Sequence, residues 1–198
     1  APAFTPLNQQ IPYYIVGVGS AAVGTAASLT SADFGPTIID TGTTLTYVPK
    51  AVVTAVAAGI SASANYHTVF GTQTLADGAC LDSTMTAAQI DAALPPLSLT
   101  FAGGTAPISL PATRSYLIAQ GHGSWCFTFS DSSTLFQGQK VSLFGNTLLG
   151  GMITIFDVAN KQIGFALQTG CAEQTNARTL VVRRPSFTGG AVISQPLE

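Results

Sequence analysis

Short β-branched and aromatic runs, each closed off by glycine or proline, limit the folds open to this chain. They occupy residues 13–18, 36–40, 97–101, 108–110, 125–129, 141–144, 153–156 and 162–167. Runs of this length rich in Val, Ile, Thr, Tyr and Phe are read as strands, so the fold is expected to be mainly β. Helical pattern is confined to two places. In residues 50–61, Pro49 can occupy the first turn and Ala, Val and Ile supply an apolar face. In residues 86–94, Thr86 and Gln89 form a capping box, and Pro95-Pro96 ends the helix. The 198 residues are 46% apolar, enough for one sizeable core.

Charge is scarce. With 7 Lys and Arg against 9 Asp and Glu, the surface must be built largely from Thr, Ser, Gln, Asn and Gly. A net charge of -2 with no basic cluster beyond Arg183-Arg184 offers no field for a phosphate backbone, so nucleic acid is not an expected partner. No apolar run reaches the roughly 18 residues of a membrane span. The opening Ala1-Pro2-Ala3-Phe4 has no charged-then-apolar leader, and a targeting segment is expected to be removed or to lie upstream.

Cys80, Cys126 and Cys171 stand far apart, with no His at a ligand offset. No metal site is therefore expected. One disulfide with one cysteine left over, or three reduced thiols, are both open; a Cys80–Cys126 bridge would contribute roughly 4 kcal/mol by shortening the unfolded chain's freedom. After Cys171 the composition changes, and 172–198 is read as a tail, a linker or an added edge strand.

Ile38-Ile39-Asp40-Thr41-Gly42-Thr43-Thr44 is the most suggestive chemistry. Gly42 lets the backbone turn sharply enough to aim amides at the Asp40 carboxylate, and the Thr43 hydroxyl can reach its outer oxygen. An aspartate that merely caps a bend looks the same locally. A different outline also fits: Gly17-x-Gly19-x-x-Ala22 follows an apolar run, with Asp40 at the distance where dinucleotide folds carry an acid. Against it, residues 21–34 are poor in helical periodicity, and strands do not alternate with helices.

The far end of the chain favours the first outline. Val141-Ser142-Leu143-Phe144-Gly145-Asn146-Thr147-Leu148-Leu149-Gly150-Gly151-Met152-Ile153-Thr154-Ile155-Phe156-Asp157, followed by Ile163-Gly164-Phe165-Ala166, closely resembles the closing segment of pepsin-like aspartic peptidases. Cys80-Leu81-Asp82-Ser83, Pro96 to Phe101, Tyr116 and Trp125-Cys126 are similar to the middle of the C-terminal lobe of these enzymes. Phe4-Thr5-Pro6-Leu7 with Tyr13-Tyr14 resembles the start of that lobe in the nepenthesin-like plant and algal branch. The likeness covers about residues 4–171.

This resemblance implies one lobe of the pepsin-like double-psi β-barrel fold with two or three short helices, spanning 1–171, and an N-terminal partner lobe absent from this chain. It implies a Cys80–Cys126 disulfide and a secreted, vacuolar or otherwise luminal location. Asp40 would be one of two catalytic aspartates, the other lying on the N-terminal lobe, since no other Asp or Glu here precedes Thr-Gly or Ser-Gly. Two carboxylates about 3 Å apart share a proton, so the pair activates water and protonates the leaving amide. Thr41, Gly42 and Thr43 would support the loop, and Ile38 and Thr44 would border the cleft for a peptide or protein substrate. Leu143, Phe144 and Gly145 would pack against the loop, and no cofactor is implied. Asn146 stands where many pepsins have Asp, as in plant-type relatives. Cys171 is a candidate to pair with the absent lobe. An inactive inhibitor of the same fold, as among plant xylanase inhibitors, is the main alternative, and a homodimer of one-lobe subunits is another. His67 and His122 read as isolated loop residues, Trp125 as core beside a cystine, and Asp157 as a turn anchor.

Overall fold

A computed structural model describes residues 2–10, 13–24 and 28–168, so Cys171 and 172–198 lie outside the described residues. The fold is built on a sheet whose strands run, in spatial order, Phe129–Asp131, Thr46–Val48, Ser142–Phe144, Pro36–Ile39, Tyr13–Val23, Leu97–Phe101 and Ile108–Leu110. Asn8–Gln10 and Leu29–Thr30 add to the long Tyr13–Val23 strand. That strand buries Val16, Val18, Ala21 and Val23. Helix Lys50–Ser61 lays Val52, Val53, Val56, Ala57 and Ile60 against the same core. Each such branched side chain, once buried, contributes about 1.5–3 kcal/mol.

A second sheet orders Ala3–Pro6, Gln162–Leu167 and Met152–Asp157. It is tied to the first by Phe101 and Phe165, whose rings stack at 3.9 Å, and by the buried Thr5 hydroxyl, which donates to Ala102 O at 2.8 Å. A third, small sheet joins Leu117–Gly121, Ser124–Phe127 and Cys80–Asp82. In it Cys126 sits opposite Cys80, and the two are bridged. Among the described residues, no helix is long and apolar enough to cross a membrane.

Helix Ala87–Ala93 starts with the expected capping box: Gln89 N donates to Thr86 Oγ1, and Thr86 N to Gln89 Oε1. Asp157 does anchor a turn. The side chains of Asn160 and Gln162 donate to it and hold its carboxyl below the usual range. Trp125 is buried beside the cystine.

Other expectations change. Residues 125–129 do not form one strand, because the fully buried Thr128 hands the chain from the small sheet to the large one. Its amide and hydroxyl donate to Tyr116 O and Ser115 O while its carbonyl accepts from Thr46 N. His67 lies in a helix, Tyr66–Phe70, with Nδ1 2.7 Å from Gly71 O, whereas His122 is in the turn after Leu117–Gly121. The dinucleotide outline fails at its first requirement. Gly17 to Ala22 is continuous strand, and among the described residues of the stretch that would have to be a helix only Ser31–Phe34 is helical. The glycines serve packing: a Cβ on Gly17 would lie 2.9 Å from Ala102 Cβ, and one on Gly19 would lie 2.8 Å from Thr100 Oγ1. The pairing also slips by one residue between Val18 and Ser20.

Because the bridge joins residues 46 apart in sequence, replacing both Cys80 and Cys126 by Ser should lower unfolding free energy by about 4 kcal/mol. Urea unfolding of the double variant against the oxidised wild type measures this, and a loss under about 1 kcal/mol would show that the closed loop is not a source of stability.

Candidate active site

Two arms of one loop are held apart by a third strand. Pro36–Ile39 leads into Asp40, the chain turns through Thr41 to Leu45, and Thr46–Val48 leads away. These arms do not pair with each other. Ser142–Phe144 lies between them, parallel to the first (Leu143 opposite Ile38, Phe144 opposite Ile39) and antiparallel to the second (Leu143 opposite Tyr47). Leu143, Phe144, Ile38 and Ile39 are all buried, so the base of the loop is anchored in core on both sides.

Gly145 then passes directly under the loop. A Cβ there would collide with Leu45 O and stand 2.6 Å from Thr43 O. Its backbone is extended, at φ -96° and ψ -174°, so glycine is required by proximity and not by conformation. The close passage permits a run of backbone bonds. Asp40 N donates to Phe144 O at 3.1 Å, Asn146 N to Thr43 O at 2.8 Å and Thr147 N to Thr44 O at 2.9 Å.

Both oxygens of the Asp40 carboxylate are held from within the loop. Gly42 N donates to Oδ1 at 2.8 Å and the Thr43 hydroxyl to Oδ2 at 2.7 Å. Hydrogen bonds to a carboxylate are among the stronger ones in proteins, about 1.5–3 kcal/mol each. The Asn146 side-chain amide donates to Thr41 O at 2.7 Å. Asp40 itself is half-buried while Thr41, Gly42 and Thr44 are exposed, so the carboxyl is fixed in direction yet open to a reactant.

Beside it lies an open pocket of about 550 Å³ lined by Tyr13, Tyr14, Ile38, Asp40, Thr41 and Phe156. Tyr14 and Phe156 meet edge to face at 5.0 Å. The structure thus brings Ile38, Asp40 and Thr41 together as the sequence suggested, with Gly42 and Thr43 behind the carboxylate. Thr44 faces solvent and is not part of this pocket lining. Sequence reasoning missed Tyr13, Tyr14 and Phe156 as lining residues. Their signal was aromatic residues within β-like runs, which one sequence cannot separate from core. A second groove of similar size, about 540 Å³, lies along helix Lys50–Ser61 and includes Asp77 and Asp131. Those carboxylates are already occupied: Asp77 accepts from Ser130 Oγ and Asp131 N, far away in sequence, and Asp131 accepts from Ser133 N and Oγ in a local turn. Among the described residues no cluster of three His, Cys, Asp or Glu could hold a metal.

The family model described as "Xylanase inhibitor C-terminal" matches residues 13–167. The chain is 33% identical over 169 residues to "Aspartic protease" of Phaffia rhodozyma, covering 82% of this chain and 36% of that protein. It is 27% identical over 172 residues to "Aspartic proteinase 36" of Arabidopsis thaliana, covering 81% and 34%, and 28% identical over 169 residues to "Aspartic proteinase nepenthesin-1" of Nepenthes gracilis, covering 80% and 36%. The chain therefore spans about a third of the length of these relatives.

Gly145→Ala should cost more than about 3 kcal/mol in unfolding free energy, because the added methyl has to displace loop backbone and not a flexible side-chain tip. Denaturant unfolding tests this. A cost below about 1 kcal/mol would show that the loop has slack over Gly145.

Proposed function

Because this chain belongs to the xylanase inhibitor C-terminal family and is a C-terminal pepsin-like lobe, we propose that it provides one half of an aspartic endopeptidase, with Asp40 as its catalytic carboxylate. The observation that supports this most is the hold on that carboxylate: Oδ1 by Gly42 N, Oδ2 by the Thr43 hydroxyl. Asp131 is also held at both oxygens, by Ser133, but the Asp40 loop is in addition braced by a distant segment, through Gly145 and Asn146, beside an open pocket. In the intact protein the N-terminal lobe brings a second aspartate close enough to share a proton with Asp40. A water between them is activated by the ionised member while the protonated one serves the leaving amide. The two share one proton, so neither role belongs to Asp40 permanently. Thr41 faces the partner loop, and Ile38, which lines the pocket, borders the peptide.

An exposed apolar strand suits the docking of such a lobe. Among the described residues Met152–Asp157 is the outer strand of its sheet, and it exposes Ile153, Ile155 and Phe156, the last beside Tyr13 in the pocket. An unpaired, apolar sheet edge of this kind is normally covered. The cystine fits a protein matured in an oxidising compartment, and we place it in a secretory or vacuolar setting.

Binding without cleavage is the second reading, favoured by the description of the matched family as a xylanase inhibitor. Intact Asp40 chemistry argues against it. In the intact two-lobe protein, Asp40→Asn should reduce kcat on a quenched apolar peptide at acidic pH by at least about 10³-fold, the scale of a lost acid–base group. The 198-residue chain alone should be inactive. Undiminished turnover by Asp40→Asn would sink the peptidase reading, and xylanase inhibition by an inactive wild type would favour the binding one.

A further inference from the structure

Asn146 grips the surroundings of Asp40 twice, from outside the loop. Its side-chain Nδ2 donates to Thr41 O at 2.7 Å. That carbonyl belongs to the same peptide group as the Gly42 N–H, which donates to Asp40 Oδ1 at 2.8 Å. The amide of Asn146 and the carboxylate of Asp40 are therefore bonded to opposite ends of one peptide plane. On the other side, the Asn146 backbone N donates to Thr43 O at 2.8 Å, and the Thr43 hydroxyl holds Asp40 Oδ2 at 2.7 Å. Each carboxylate oxygen is thus backed by a residue that Asn146 restrains. We infer that Asn146 is a positioning residue for Asp40, acting through the Thr41–Gly42 peptide group; the inference rests on the reading of Asp40 as catalytic.

The physical effect has two parts. A donor on a peptide carbonyl polarises the group and strengthens its N–H as a donor in turn. It also stops the plane from rotating, which would swing the Gly42 N–H away from Oδ1. The type of side chain matters as well. A carboxamide donates whatever the pH, whereas a carboxyl at the same place could donate to Thr41 O only while protonated. Once ionised it would face a carbonyl oxygen and set a second negative charge near Asp40. Among the described residues little is at hand to neutralise that charge. Helix Asn146–Leu149 packs on Met152–Asp157 and Thr46–Val48. The titratable groups of these elements and the loop are Asp157, Tyr47 and Asp40, with no Lys or Arg. Asp157 is bonded to Asn160 and Gln162. The nearby Arg114, whose carbonyl approaches Gly151, directs its guanidinium to Gln168 O.

Asn146→Ala and Asn146→Asp separate this from simple structural support. In the intact protein Asn146→Ala should lower kcat about 5- to 10-fold, the scale of one hydrogen bond, with KM within about twofold. Asn146→Asp should resemble the wild type near pH 3 and fall behind it by about tenfold as pH rises through the carboxyl range to about 6. The second readout needs no turnover. In the ¹⁵N-labelled chain, the Gly42 amide proton should move upfield in Asn146→Ala, and in Asn146→Asp it should do so only as pH rises, beyond any wild-type titration. The inference is overturned if Asn146→Asp parallels the wild type from pH 3 to 6 in rate and in the Gly42 resonance. If the wild type cleaves no peptide, the peptidase reading fails, and the Gly42 resonance alone still decides whether Asn146 holds the loop.

Discussion

Everything at the site depends on Ser142–Phe144 running between the two arms of the Asp40 loop, with Gly145 lying directly beneath it. Backbone meets backbone there without any intervening side chain. That contact lets Phe144 O accept from Asp40 N and brings Asn146 and Thr147 amides to Thr43 and Thr44 carbonyls. A loop that would otherwise sample many conformations is reduced to one. The entropy cost of ordering its residues, about 1–2 kcal/mol each, is offset by these bonds and by the burial of Ile38, Ile39, Leu143 and Phe144 at its base.

The consequence is a carboxylate aimed by short local bonds that are themselves restrained at long range. Gly42 and Thr43 are within three residues of Asp40, whereas Phe144 and Asn146 are more than a hundred residues away. The hierarchy resembles the way ligands in catalytic centres are oriented by a surrounding layer of hydrogen bonds. The aromatic pocket of Tyr14 and Phe156 is assembled by the same pairing of distant segments, since one ring comes from the long Tyr13–Val23 strand and the other from a strand near the end of the described residues.

Much of the local structure was legible. The Thr86–Gln89 capping box and the Lys50–Ser61 helix rest on contacts within a turn or two, so their residues carry the signal directly. The apolar runs announced strands for the same reason. Legibility failed where a residue answers to something far away. Gly17 and Gly19 looked like a phosphate-binding turn but exist because Thr100 to Ala102 pass too close for a Cβ. Thr128 looked like mid-strand, yet it marks the transfer between sheets. Tyr13, Tyr14 and Phe156 looked like ordinary strand aromatics.

By itself the sequence determined that the chain is a β-rich, sparsely charged lobe with one Asp-Thr-Gly turn, because strand preference, turn chemistry and family likeness are all written in short stretches. Tertiary structure alone decided that Gly145 passes under that turn, that Asn146 and Asp40 share a peptide group, and which aromatics wall the pocket. Those facts are distances between segments far apart in the chain, and a distance of that kind exists only once the intervening core has closed.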